Sequence, residues 1–249
     1  MLLRIVATAA LIATPAFAAA QESGNEVSFR FGIGPKLEPG YFGDADQDNG
    51  VGVKFALESF QIGPVAGGGD ANGLGFGGSV RFISERNADD FSELSGMETV
   101  DPTLELGGQV KYTTPLFEAF AALRYGAIGH KSFVSEIGGD VILQPADNLQ
   151  ISFGPRALWG DDDYASTYFG VTADESTANG VFGEFAPEGG IISTGAEIEA
   201  TYAFNDDWEL VGTLTYDILR GDAADSPISA QNEQVTTQIV LTRKITFNF

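Results

Sequence analysis

The sequence predicts an all-β protein: a closed antiparallel transmembrane β-barrel of about ten strands, with short periplasmic turns and long acidic outer loops. Three observations predict it. The chain opens with an export leader, apolar and polar residues alternate in segment after segment, and short and long connections follow one another in turn.

The leader is Met1 to Ala20, MLLRIVATAALIATPAFAAA. A charge at Arg4 precedes an apolar run from Ile5 to Phe17 and then small residues, the pattern of a secretory signal peptide. As a helix that run reaches only about 20 Å, short of the roughly 30 Å hydrocarbon core, so it is not expected to anchor the chain. Cleavage after Ala18 or after Ala20 satisfies the small-x-small rule. Residues 21–249 are then a single barrel domain bound for the outer membrane.

Composition fits that domain. No later run of eighteen apolar residues follows, so spans must be strands. The chain has no cysteine, and a hydrogen-bonded closed barrel needs no disulfides. A net charge of −22 repels nucleic acid. Mean hydropathy of +0.02 is the value expected when outward and inward residues cancel.

The first strand alternates Val27, Phe29, Phe31 and Ile33 with Ser28, Arg30, Gly32 and Gly34. Leu37 to Asn49 is an acidic, turn-rich connection. Val51, Val53, Phe55 and Leu57 then alternate with Gly52, Lys54, Ala56 and Glu58, and this second strand continues irregularly to Pro64. A glycine-rich break, Gly67 to Gly73, leads to a third strand marked by Leu74, Phe76, Val80 and Phe82. After the acidic loop Glu85 to Pro102, Leu104, Leu106, Val110 and Tyr112 oppose Thr103, Glu105, Gln109 and Lys111. The fifth strand carries Phe117, Ala119, Ala121, Leu123 and Tyr125, the sixth Phe133, Ile137, Val141 and Leu143, the seventh Leu149, Ile151 and Phe153. Beyond the long loop Gly160 to Gly190, Ile192 to Phe204 and Trp208 to Ile218 form the eighth and ninth.

The last strand, Val235 to Phe249, alternates to the final residue, with only Arg243 out of place on its apolar face. At about 3.3 Å per residue it spans about 50 Å, enough for a tilted crossing.

The connections Gly67 to Gly73, Thr114-Pro115, Pro145 to Asn148 and Asn205 to Asp207 fall on one rim. The longer ones, with the short Gly129 to Ser132 turn, fall on the other. Twelve strands result if Phe55 to Phe82 holds extra crossings. A soluble β-sandwich also alternates, but an exported chain with charges on nearly every polar face and aromatics near strand ends favours the barrel. Trp159, Tyr202, Phe204, Trp208, Phe247 and Phe249 are placed for interfacial girdles.

Inward faces carry charges of both signs: Arg30, Lys54, Arg81, Lys111, Arg124, Arg156 and Lys244 against Glu105, Glu118, Glu136, Glu197, Glu199 and Asp217. In a narrow lumen these must pair or stay hydrated, so an ion-paired plug is expected rather than a wide pore.

Gly154 to Tyr164 reads GPRALWGDDDY, Thr167 to Thr172 reads TYFGVT, and Gly221 to Ile228 reads GDAADSPI. With the Pro39, Tyr41, Gly43 spacing, these resemble the MipA/OmpV family, the MltA-interacting protein family of outer-membrane proteins. The resemblance covers essentially the mature chain and is weakest from Phe55 to Asn72. It implies a scaffold that brings a lytic transglycosylase together with a murein synthase, alongside outer-membrane lipid; a narrow channel for small solutes or a surface adhesin is the alternative. Asp161, Asp162 and Asp163 suit either a divalent cation or a solvated acidic turn. Tyr164, Tyr168 and Phe169 suit either a partner surface or a loop packed over the barrel mouth.

Nothing in the sequence points to catalysis. His130 is the one histidine; it lies in a tight Gly-His-Lys-Ser turn, Ser132 is too near in sequence to be a persuasive nucleophile, and no third partner is evident. Lumen ion pairing accounts for Glu197 and Glu199, and there is no P-loop, zinc-ligand set or dinucleotide fingerprint. A non-enzymatic protein without a cofactor is expected.

Overall fold

The computed structural model describes residues 25–62, 65–68 and 72–249, and the expected leader lies outside them. The strands are β1 (Glu26–Pro39), β2 (Gln47–Ile62), β3 (Val65–Gly68), β4 (Gly73–Ile83), β5 (Thr103–Thr113), β6 (Phe117–Ile128), β7 (Phe133–Ala146), β8 (Leu149–Gly160), β9 (Gly190–Ala203), β10 (Trp208–Leu219) and β11 (Glu233–Asn248). They form one antiparallel sheet in the order β3-β2-β1-β11-β10-β9-β8-β7-β6-β5-β4. The first and last of these strands in sequence, β1 and β11, pair with each other, with Glu26 opposite Asn248 and Leu37 opposite Thr237.

Ten long strands make a nearly closed barrel. The four-residue β3 only folds back on the end of β2, pairing Ser59 with Gly68 and Ile62 with Val65. The glycine-rich break expected at Gly67 to Gly73 thus begins inside a short strand. Between β2 and β4 no ladder forms among the described residues; instead the Phe55 ring lies over Gly78, where a Cβ would meet it at 3.1 Å.

Side chains divide as the alternation requires. On β11, Ile239 is 51% exposed and its neighbour Val240 is fully buried. The exposed apolar residues of the other strands make the same outward belt, which is stable against hydrocarbon because the ladders satisfy the backbone. Arg243 points outward with the belt and stacks on Trp208, its guanidinium carbon 5.4 Å from the ring centre. Inward glycines let strands coil tightly: a Cβ on Gly34 would lie 1.9 Å from the Ile239 carbonyl oxygen.

The outer connections differ from the expectation of plain loops. Leu37 to Asn49 is mostly strand, because Glu38 pairs with Asp48 and Leu37 with Asn49, leaving a connection only from Gly40 to Asp46. The loop 161–189 holds α1 (Asp162–Phe169) and α2 (Ala173–Asn179), the loop 220–232 holds α3 (Gly221–Asp225), and a 3-10 turn forms at Ser92–Leu94. These helices were hidden by their shortness, though their caps are in the sequence. Asp161 accepts a hydrogen bond from the Tyr164 amide, and Thr172 with Glu175 forms a reciprocal capping box.

Together these segments close the outer mouth. One apolar cluster packs Tyr164, Ala165, Tyr168 and Phe169 of α1 against Val134, Leu158, Ile192 and Leu219 of the wall and Ala223 of α3. A second joins Tyr41, Leu94, Met97, Val171 and Ile228 from four separate connections.

Candidate functional site

The lumen under this cap is organised by charge. Glu105, projecting from β5 with its side chain fully buried, meets Arg81 of β4 at 2.6 Å and Arg124 of β6 at 2.9 Å. Arg124 reaches on to Glu136 of β7 at 2.8 Å and donates to Ser79 Oγ at 3.1 Å. Charge-assisted bonds from two guanidinium groups are what keep such a carboxylate ionised away from water.

A second layer centres on Arg156 of β8. Its Nη2 lies 3.0 Å from Asp140 and from Glu197, and its guanidinium sits over Phe120 at 5.1 Å. Thr215 donates to Glu197 at 3.1 Å, Lys54 pairs with Glu199, and Thr213 donates to Glu199 at 3.3 Å. Nearest the short turns, Arg30 pairs with Glu58 and, at 3.3 Å, with Glu209; Lys244 meets Glu58 at 2.8 Å, and Lys111 meets Glu118 at 3.4 Å. Each charged residue expected on the lumen thus has an ion pair, apart from Asp217, which has none among the described residues.

Of the spaces left in the lumen, two are divided by one layer of side chains. One of about 340 Å³ lies under the cap and one of about 600 Å³ lies toward the short turns; Glu136, Arg156 and Glu197 line both and stand between them.

The cap is tied to this lattice. Arg81 Nη2 donates to the Tyr164 hydroxyl at 2.9 Å, Arg86 donates to the Tyr168 carbonyl at 2.9 Å, and the Tyr168 hydroxyl donates to Thr103 Oγ1 at 3.0 Å. Burial pushes the Tyr164 phenol well above its usual range and the Tyr168 phenol up to about 12. Burial likewise pushes the Arg86 guanidinium down, against the opposing field of Glu175.

His130 belongs to the same lattice, which the sequence reading missed. Its ring is buried edge-on against both Tyr164 and Tyr168, at 5.1 and 5.7 Å between centres. The Ser132 amide donates to Nδ1 at 3.0 Å and the Ser132 hydroxyl lies 2.6 Å from the same atom, so Nδ1 accepts and Nε2 carries the hydrogen toward Glu105 at 3.1 Å. The third partner that the sequence did not reveal is therefore Glu105, brought across by strand pairing. This serine, histidine and carboxylate share the polarity of a hydrolase relay, but Ser132 is 2% exposed and sits under the cap.

Of the outer-loop candidates, Asp162 and Asp163 are exposed and the three aromatics are not. Tyr164, Tyr168 and Phe169 are buried in the cap's core. Asp161 accepts from the amides of Tyr164 and Phe133, and Asp162 accepts from that of Gly189 at 2.7 Å. Asp163 contributes its backbone carbonyl to Thr167. Asp161 and Asp162 thus fix the loop through backbone amides, and no cluster with metal-ligand geometry occurs among the described residues.

A family model described as MltA-interacting protein MipA matches residues 9–245. No curated protein gives a significant sequence match. Among solved structures, the chain is similar to an outer membrane channel from Pseudomonas putida F1, at 11% identity and TM-score 0.46 over 94% of this chain and 100% of that one. It is also similar to the translocator domain of autotransporter NalP from Neisseria meningitidis, at 9% identity and TM-score 0.40 over 90% and 89%. The attachment invasion locus protein of Yersinia pestis matches at 10% identity and TM-score 0.31 over 90% and 100%.

Proposed function

The chain belongs to the MltA-interacting protein MipA family, and from that premise we propose that it is an outer-membrane scaffold, docking a lytic transglycosylase and a murein synthase on its periplasmic rim. One observation carries the reading: the outer mouth is packed shut and the lumen is crossed by ion pairs, so the short turns are the surface left facing the murein. Leu116, 71% exposed in the turn between β5 and β6, is the kind of apolar contact such a rim offers.

The same reading makes the protein non-enzymatic. The one histidine is buried against two tyrosine rings, and its neighbouring hydroxyl is shielded from any substrate. Export and removal of the leader at Met1 to Ala20 complete the picture.

Photo-crosslinking groups placed at Leu116, Asn148 and Asn205 in intact envelopes test the proposal. Adducts containing a lytic transglycosylase or a murein synthase are expected by mass spectrometry. Adducts with neither, from turns that label efficiently, contradict it.

A narrow channel for small solutes is the second reading, favoured by the chamber of about 600 Å³ toward the short turns. It requires passage through the Arg156 layer and the cap, and planar-bilayer recording decides it.

A further inference from the structure

The chamber under the cap is not walled by inward residues alone. Besides Arg81, Arg124 and Glu136, it is lined by Val51 and Val53 of β2 and Val80 and Phe82 of β4, which belong to the outward, membrane-facing set of their strands. Those strands flank the one place where the sheet has no ladder among the described residues. The opening is bounded on both sides. Toward the short turns, Phe55 closes over Gly78. Toward the cap, the Ser84 hydroxyl donates to Glu38 at 2.9 Å, and that carboxylate passes close by Gly50, where a Cβ would lie 2.7 Å from its Oε1. Between these two closures lies a slot with an apolar lip and an ionic interior.

We propose that this slot is a side portal through which an amphiphile with a cationic head group and an apolar tail enters the chamber from the outer leaflet. The tail rests on Val51, Val53, Val80 and Phe82, which already face hydrocarbon. The head group is chosen by the charge left over inside. Lys36 is paired with Glu38, Arg81 with Glu105, Arg124 with Glu136 and Arg156 with Glu197, whereas Asp217 lines the chamber from β10 with no cation within ion-pair distance among the described residues. A cation is the complement of that carboxylate, and an anion is repelled by it. A partner strand does not fit the slot, since inserting one needs about 10 Å between neighbours and Cα atoms of β2 and β4 approach within 8 Å of each other. The portal does not depend on the docking role.

The test uses the full mature barrel in a non-ionic detergent, with native mass spectrometry to read retained ligand. Dodecyltrimethylammonium is the probe, tetramethylammonium the tail-less control and dodecyl sulfate the anionic control. One retained dodecyltrimethylammonium per barrel is expected, with several-fold less dodecyl sulfate and no tetramethylammonium. Val80→Trp, which fills the slot, abolishes retention, and Asp217→Asn erases the preference for the cation. Heat-modifiable gel mobility confirms that each variant is folded, and Val53→Trp replaces Val80→Trp if that variant is not. Retention unchanged in folded variants, or equal for both dodecyl probes, overturns the portal.

Discussion

Arg81 and Tyr164 join the barrel wall to its cap: the guanidinium Nη2 that pairs with Glu105 also donates to the phenol at 2.9 Å. The contact links residues far apart in sequence, and it makes the closure of the mouth depend on the lumen's charges.

Tyr164→Phe removes that bond and is expected to weaken the cap by about 1.5–3 kcal/mol, the range for hydrogen bonds to charged groups. Tyr164→Ala also empties a fully buried site and costs about 3–5 kcal/mol. Limited proteolysis reads both: cleavage within 161–189 rises in the order wild type, Phe, Ala, while the strands stay protected. Equal resistance of all three contradicts the account.

Glu105→Gln leaves Arg81 and Arg124 without their shared anion. The loss is expected to be on the order of 3 kcal/mol in guanidinium unfolding. Adding Arg81→Gln to it restores part of that stability, since Glu105 is the one ion pair of Arg81 among the described residues, whereas Arg124 keeps Glu136. Strictly additive losses in the double-mutant cycle count against the lattice.

Alkaline pH acts on the cap with a definite sign. Burial raises the Tyr168 phenol from an ordinary value near 10 to about 12, and Tyr164 higher still. The folded state therefore holds its protons more tightly than the unfolded one. Cap stability is complete below pH 10 and falls as pH rises toward 12. Phenolate absorbance should show these two tyrosines silent until the cap opens; free titration near pH 10 contradicts their burial.

Thr172→Ala breaks the capping box of α2 and costs about 1 kcal/mol, confined to the cap. Hydrogen exchange is expected to speed up at Glu175 and Ser176, while β11 amides are unaffected.

The strands were legible because every crossing must show hydrocarbon one face and the lumen the other, so period-two alternation survives in Val235 to Phe249 as in Leu104 to Tyr112. The inward charges followed from the same parity, and the register then decided their partners. The cap was not legible as structure. Its helices are too short to show a period, and Tyr164, Tyr168 and Phe169 are held by residues on β4, β5 and β9 that no local pattern connects to them. His130 was misplaced for the same reason, since Glu105 reaches it only through strand pairing. The segment after Phe55 was hard to divide because glycines there carry no facing information.

The most direct measurement of the central claim uses the absence of native cysteine. Single fluorophore-labelled cysteines placed in turn from Gln238 to Thr242 are compared in bilayers containing brominated lipid. The account predicts strong quenching at Ile239 and Leu241, and little at Gln238, Val240 and Thr242, which face the lumen. Quenching without that alternation contradicts a membrane barrel with an apolar exterior and an ionic interior.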